Sequence, residues 1–161
     1  MLMTPHYIRL VGPWKVQWLQ PADPNAAFSR EESATMPRGW GTLFGPRAGR
    51  ARFRRSFHAP TNLDADEHVA IEFTGVRGLG TVRLNDALLG DIDGSTTTAR
   101  FDVTAAMGSS QDFHLVVELQ FDPTASTEPG GLFDIVRLVI ESGAAEADRE
   151  RPRLRFRDAM G

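Results

Sequence analysis

Cysteine is absent from the 161 residues, which excludes a disulfide scaffold, thiol catalysis and a thiolate metal site while leaving the compartment open. Long apolar runs are absent too. No stretch approaches the roughly 18 residues of a membrane-spanning helix, and the opening "MLMTPHYIRLVGPW" has no uninterrupted apolar segment of the kind a secretory leader carries. As given, the chain reads as cytoplasmic, with an extracytoplasmic site left open should a leader or a further domain precede it. A surplus of positive charge is also missing: the formal net charge is -3 and the pI about 5.8. General affinity for nucleic acid or for an anionic membrane is therefore not expected. Lysine occurs once, at Lys15, against 17 arginines. Five of these fall in "GPRAGRARFRR" (45–55), where a phosphate-binding reading competes with a uniform compositional bias. Acidic residues elsewhere balance the charge, which favours the second reading.

What is present is alternation. In "FHLVVELQFD" (113–122) Phe113, Leu115, Val117, Leu119 and Phe121 alternate with mostly polar neighbours, the pattern of a long strand with one buried face. The same period of two runs through Val69, Ile71 and Phe73, through Val82 and Leu84, and through Val136, Leu138 and Ile140. "RPRLRFRD" (151–158) repeats it with arginines outward and predicts a charged edge strand. Turn-forming residues separate these runs, and Asn85-Asp86 supplies two residues that tolerate positive φ between "VRL" and "ALLG", as a tight hairpin requires. No helical period lasts three turns; "TAAMGSS" (104–110) predicts one short turn capped by Thr104. With hydrophobic content of 41% and charged content of 24%, the pattern predicts a single all-β domain over 1–161, an antiparallel β-sandwich with little helix. A chain of this size buries about two thirds of its extended-chain surface without a metal or crosslink. Residues 21–49, rich in Pro and Gly and without period, predict a long surface excursion, the kind of segment that is often functional.

Taken in order, "RLVGPWKVQW", "ARFRRSF", "VAIEFTGV", "VRLNDALLG", "FDVT", "FHLVVELQ" and "GGLFDIVRL" resemble the N-terminal sugar-binding sandwich of glycoside hydrolase family 2, a jelly roll of the galactose-binding-domain-like class. The resemblance covers roughly residues 8–142, with Asp86 standing where the family's hairpin usually has Gly. It implies a β-sandwich associated with carbohydrate processing, commonly followed by a catalytic barrel. No such barrel is contained in these residues, since one takes about 250 residues by itself, and the family's catalytic motifs have no counterpart here.

The chemistry-bearing residues are weighed against that background. A glycosidase needs two carboxyls about 5 to 9.5 Å apart flanking a cleft, and nothing in the sequence singles out a pair, so no catalytic residue is assigned. No Gly-x-Ser-x-Gly occurs, and His6, His58, His68 and His114 are scattered, as surface histidines are. In "DIDGST" Asp91 and Asp93 stand two apart before Gly94, which allows a structural calcium ion beside the plainer reading as turn residues; no other cofactor is expected. Sugar-binding modules stack aromatic planes on pyranose rings. Trp14 and Trp18 share a strand face and belong to the core. Trp40, between two glycines in "MPRGWGTLF", is read equally as a plug against the sandwich and as a ligand contact. Phe53, Arg55 and Phe57 share a face, so Arg55 points inward and needs a partner, either a structural ion pair or a ligand. The resemblance places Asp122, and after it Glu128, where some family members present an acidic residue to the sugar. The loop here has no aromatic residue before Gly130-Gly131.

The expected role is a non-catalytic carbohydrate-binding-like module, with ligand contacts among Trp40, Arg55, Asp91, Asp122 and Glu128. The alternatives are a structural or protein-interaction sandwich whose partner is a glycosidase or another protein, and a piece of a larger glycosidase.

Overall fold

The computed structural model describes residues 5–19 and 31–142. The predicted strand at 151–158 lies outside the described residues. Twelve strands and two short helices follow in order: β1 (His6–Arg9), β2 (Trp14–Trp18), β3 (Glu32–Ala34), α1 (Trp40–Phe44), β4 (Gly49–His58), β5 (Glu67–Phe73), β6 (Val76–Arg77), β7 (Leu79–Leu84), β8 (Ala87–Ile92), β9 (Ala99–Asp102), α2 (Thr104–Met107), β10 (Asp112–Phe121), β11 (Gly131–Leu132) and β12 (Val136–Ser142). They form two antiparallel sheets, β1-β12-β5-β9 and β3-β2-β4-β10-β7-β8, with a two-residue ladder between β11 and β6. The fold is the all-β, galactose-binding-like sandwich that the alternation predicts.

The alternation sets which faces meet. Phe113, Leu115, Val117 and Leu119 of β10 are buried, as are Val69, Ile71 and Phe73 of β5 and Val136, Leu138 and Ile140 of β12. These rows close on each other in one core, as period-two strands with one apolar face must. Ten residues of β4 pair with ten of β10, from Gly49 opposite Phe121 to His58 opposite Asp112. That register puts Arg50, Arg52 and Arg54 on the outer face, where Glu118 takes the first two (3.3 and 2.9 Å) and Glu31 takes Arg54. The arginine cluster is thus a set of exposed ion pairs. Asn85 and Asp86 turn the β7–β8 hairpin at φ 48° and 71°, the left-handed pair such a turn needs. Gly80 is required by proximity, because a Cβ there would stand 1.7 Å from the Glu118 carbonyl oxygen on the neighbouring strand.

Two expectations change. Thr104 opens α2 without capping it: Asp102 Oδ1 accepts the Thr104 N–H (2.8 Å), while the Thr104 hydroxyl accepts the Val69 N–H (2.9 Å) and braces β5. Tertiary contact has claimed the hydroxyl that local capping would use. The described part of the 21–49 excursion is also no simple surface loop. It contributes β3 to a sheet and buries Met36 and Trp40 in the core.

Candidate functional site: a cleft at the open edge of the sandwich

The structure separates the candidate residues instead of gathering them. Trp40, Asp122 and Glu128 lie where β10 ends. Arg55, opposite Leu115, lies seven residues up that strand, roughly 23 Å away at ~3.3 Å per residue. Asp91 sits on β8, opposite Thr81 at the far edge of the larger sheet.

Trp40 is fully buried. Its N–H donates to the Gly130 carbonyl (2.9 Å) and its indole Nε1 to the Arg47 carbonyl (2.8 Å). The rings of Phe44, Phe121 and Trp18 surround it at 4.9, 5.5 and 5.8 Å. Gly131, at φ 71°, lets the next loop pass against its backbone. An indole enclosed in this way offers no face to a sugar, so of the two readings of Trp40 the structure takes the plug.

The acidic candidates near it serve their own turns. Asp122 Oδ1 accepts from the Thr124 hydroxyl (2.6 Å) and N–H (2.9 Å), and these bonds hold its carboxyl below the usual carboxylate range. Glu128 is exposed and stands 3.9 Å from the Arg77 guanidinium. Asp93 repeats the Asp122 arrangement with Ser95, whose hydroxyl and N–H it accepts at 2.6 and 2.9 Å, and its carboxyl is likewise held low by them. Calcium takes six to eight oxygen ligands. Asp93 is engaged in its turn, and among the described residues no cluster of three or more potential ligand side chains exists.

Arg55 is different. It shares the inner face with Phe53 and Phe57, as the alternation predicts, but the expected ion pair is missing: among the described residues no carboxylate lies within ion-pair distance of it. One guanidinium nitrogen donates to the carbonyl of Ser56. Its Nε is buried without a partner, and burial pushes the group below the ordinary guanidinium value, though arginine remains charged. The backbone explains the position. β2 pairs with β4 only as far as Lys15 opposite Arg54, and the chain ahead of Trp14 leaves for the other sheet, where β1 pairs with β12. Among the described residues β4 has an open edge from Arg55 onward. Between that edge and β1 lies a cleft of about 660 Å³. Leu10, Phe113 and Leu138 line its apolar part, and Arg9, Arg55, Ser56, His58, Asp112 and His114 line its polar part. Two cross-strand pairs order the rim: Ser56 Oγ with His114 Nδ1 at 2.9 Å, and His58 Nδ1 with Asp112 Oδ1 at 2.7 Å.

Sequence reasoning found Arg55 and missed the rest of this cleft. The signal was present in part, since Ser56 and His58 alternate outward on one strand and Asp112 and His114 on another. Their meeting depends on register and on the return of β1 from the opposite sheet, neither of which alternation encodes.

A profile of the glycosyl hydrolase 2 galactose-binding domain-like family matches residues 47–129. No curated protein matches the chain. Among solved structures, the chain is similar to an FMN-binding beta-glucuronidase from Facaelibacterium prausnitzii, with 20% identity, a TM-score of 0.66, and coverage of 84% of this chain and 22% of that one. It is similar to the Bifidobacterium dentium beta-glucuronidase complexed with coumarin-3-O-glucuronide at 19% identity and TM-score 0.66, covering 86% of this chain and 30% of that one. The Ruminococcus gnavus beta-glucuronidase gives 16% identity and TM-score 0.66, with 85% and 28% covered. Likeness at such identity speaks to the fold, and the chain spans less than a third of each of these enzymes. The family match runs from β4 to the loop after β10 and takes in more than half of the chain, which belongs to the glycosyl hydrolase 2 galactose-binding domain-like family.

Proposed function

We propose that this chain is a non-catalytic carbohydrate-recognition module, and that its recognition site is the open-edge cleft rather than a platform at Trp40. The observation that carries the reading is a concavity of small-ligand size whose lining is shared by Arg9, Arg55 and the exposed polar side chains of β4 and β10. Sugars present both hydroxyls and C–H faces, and this lining suits both. Family membership supports the association with carbohydrate processing, and the absence of a catalytic pair from the sequence reading supports a role beside an active centre.

A second reading, a sandwich that docks on another protein or on the remainder of a glycosidase, is favoured by one observation: Trp14, Trp18 and Trp40 are all buried, so no tryptophan is offered for stacking. Amide chemical-shift titration with a panel of neutral and acidic mono- and oligosaccharides separates the two. Saturable shifts at residues 8–10, 55–58 and 112–114 are expected for carbohydrate recognition. A folded chain that responds to no saccharide would overturn it in favour of the docking module.

A further inference from the structure

We propose that the open-edge cleft is an anion site, taking the carboxylate of an acidic saccharide on Arg55 with Arg9 as the second cation. The saccharide part rests on the functional reading above; the anion part stands on the charges alone.

The arginines of β4 supply the contrast. Arg50 and Arg52 are satisfied by Glu118, and Arg54 holds Glu31 through two bonds of 2.6 and 2.7 Å. Arg55 lacks any acidic partner among the described residues, with its Nε buried and unbonded. Charged groups inside a fold are almost always paired, so a guanidinium that lines a cavity with no acid beside it among the described residues marks a place for an anionic acceptor from outside the chain. The planar fork of arginine matches a carboxylate's two oxygens.

Charge decides which anion. Arg9 also lacks an acidic partner among the described residues, while the one carboxylate of the lining, Asp112, is engaged by His58. Arg9 and Arg55 against Asp112 leave one net positive charge on the lining, histidines aside, which suits a monoanion. A dianion such as phosphate would carry charge in excess of it and bring the surplus beside Asp112. The rest of the cleft suits a sugar ring: Ile8, 42% exposed in the lining, offers surface to its C–H face, and the edges of β1 and of β4 beyond Arg54, unpaired among the described residues, leave backbone groups for its hydroxyls.

The test compares four probes on the purified chain by calorimetry and amide shift mapping: glucuronate, glucose, cyclohexanecarboxylate and inorganic phosphate. Glucuronate is expected to bind at least about tenfold more tightly than glucose or phosphate, as loss of a charge-assisted hydrogen bond predicts. Arg55→Gln should weaken it by about tenfold or more, with Arg55→Lys recovering part of the loss, and raising salt from about 50 to 500 mM should weaken it further. Thermal melts establish that both variants are folded. Glucose binding as tightly as glucuronate at this cleft overturns the anion site and leaves carbohydrate recognition standing. Cyclohexanecarboxylate binding as tightly as glucuronate, with no neutral sugar bound, supports the anion site and removes the saccharide. Phosphate binding more tightly than both carboxylates overturns the monoanion assignment. Glucuronate binding that is unchanged in Arg55→Gln, or no carboxylate binding at all by the folded chain, overturns the proposal.

Discussion

The two ends of β10 treat their special residues in opposite ways. At the Phe121 end, an indole, three aromatic rings and two loop carbonyls close around one another, and Asp122 turns its carboxylate onto Thr124. At the Asp112 end, a guanidinium enters the sandwich edge and finds no acid among the described residues. A side chain that the fold has satisfied holds the fold together; one that the fold leaves unsatisfied is available to something else. Buried polar groups without partners are costly, so their retention points to a use outside folding. The comparison teaches that chemical suitability, by which Trp40 seemed the best sugar platform, is a weaker guide than what each group has left to offer.

Substitutions at the two ends should differ in sign. Trp40→Ala removes a fully buried indole and its hydrogen bond, and should cost about 3–5 kcal/mol in urea unfolding; a loss under about 1 kcal/mol would mean that the ring is not the plug described. Arg55→Met should be neutral or stabilising by about 1 kcal/mol, because it removes an unpaired buried donor and keeps the volume. A clear loss of stability would reveal an internal partner and erase the contrast. Glu118→Ala frees Arg50 and Arg52 on the exposed face and should change stability by less than about 1 kcal/mol. It should also create no anion binding on that face, which distinguishes a lined cleft from mere positive charge.

The smallest effect concerns titration. The carboxyls of Asp122 and Asp93 sit below their ordinary range because of the turn hydrogen bonds. A depressed folded value contributes stability that is present above the unfolded value and lost as pH falls through the folded one. Both groups are exposed, so this contribution is slight, and its loss is confined to acid conditions at and below the usual carboxylate range. Carbon-detected titration should show the Asp122 carboxyl moving back toward its ordinary value in Thr124→Val, with Asp93 unmoved. Equal movement of both would tie the shift to general charge instead of the local turn.

Legibility followed the range of the interactions. The strands, the Asn85-Asp86 hairpin and the burial of Trp14 and Trp18 were readable because period-two burial and positive-φ turns are properties of neighbouring residues. The inward aim of Arg55 was readable for the same reason, as it stands between Phe53 and Phe57. Trp40 was read only as far as its two alternatives, since its glycine-flanked segment has no period and its neighbours come from β2, β10 and the loop before β11. Thr104 looked like a cap because its partner, Val69, lies 35 positions away in sequence.

By itself the sequence determined a cysteine-free, all-β chain, the faces of its main strands, and a recognisable order of segments. The tertiary structure alone decided that Glu118 and Glu31 reach the outer arginines while no acid among the described residues reaches Arg55, and that β1 returns to form a cleft beside it. The physical reason is that alternation assigns each side chain to a face, whereas register and strand crossing assign its partners, and partners decide which charge is left free to bind.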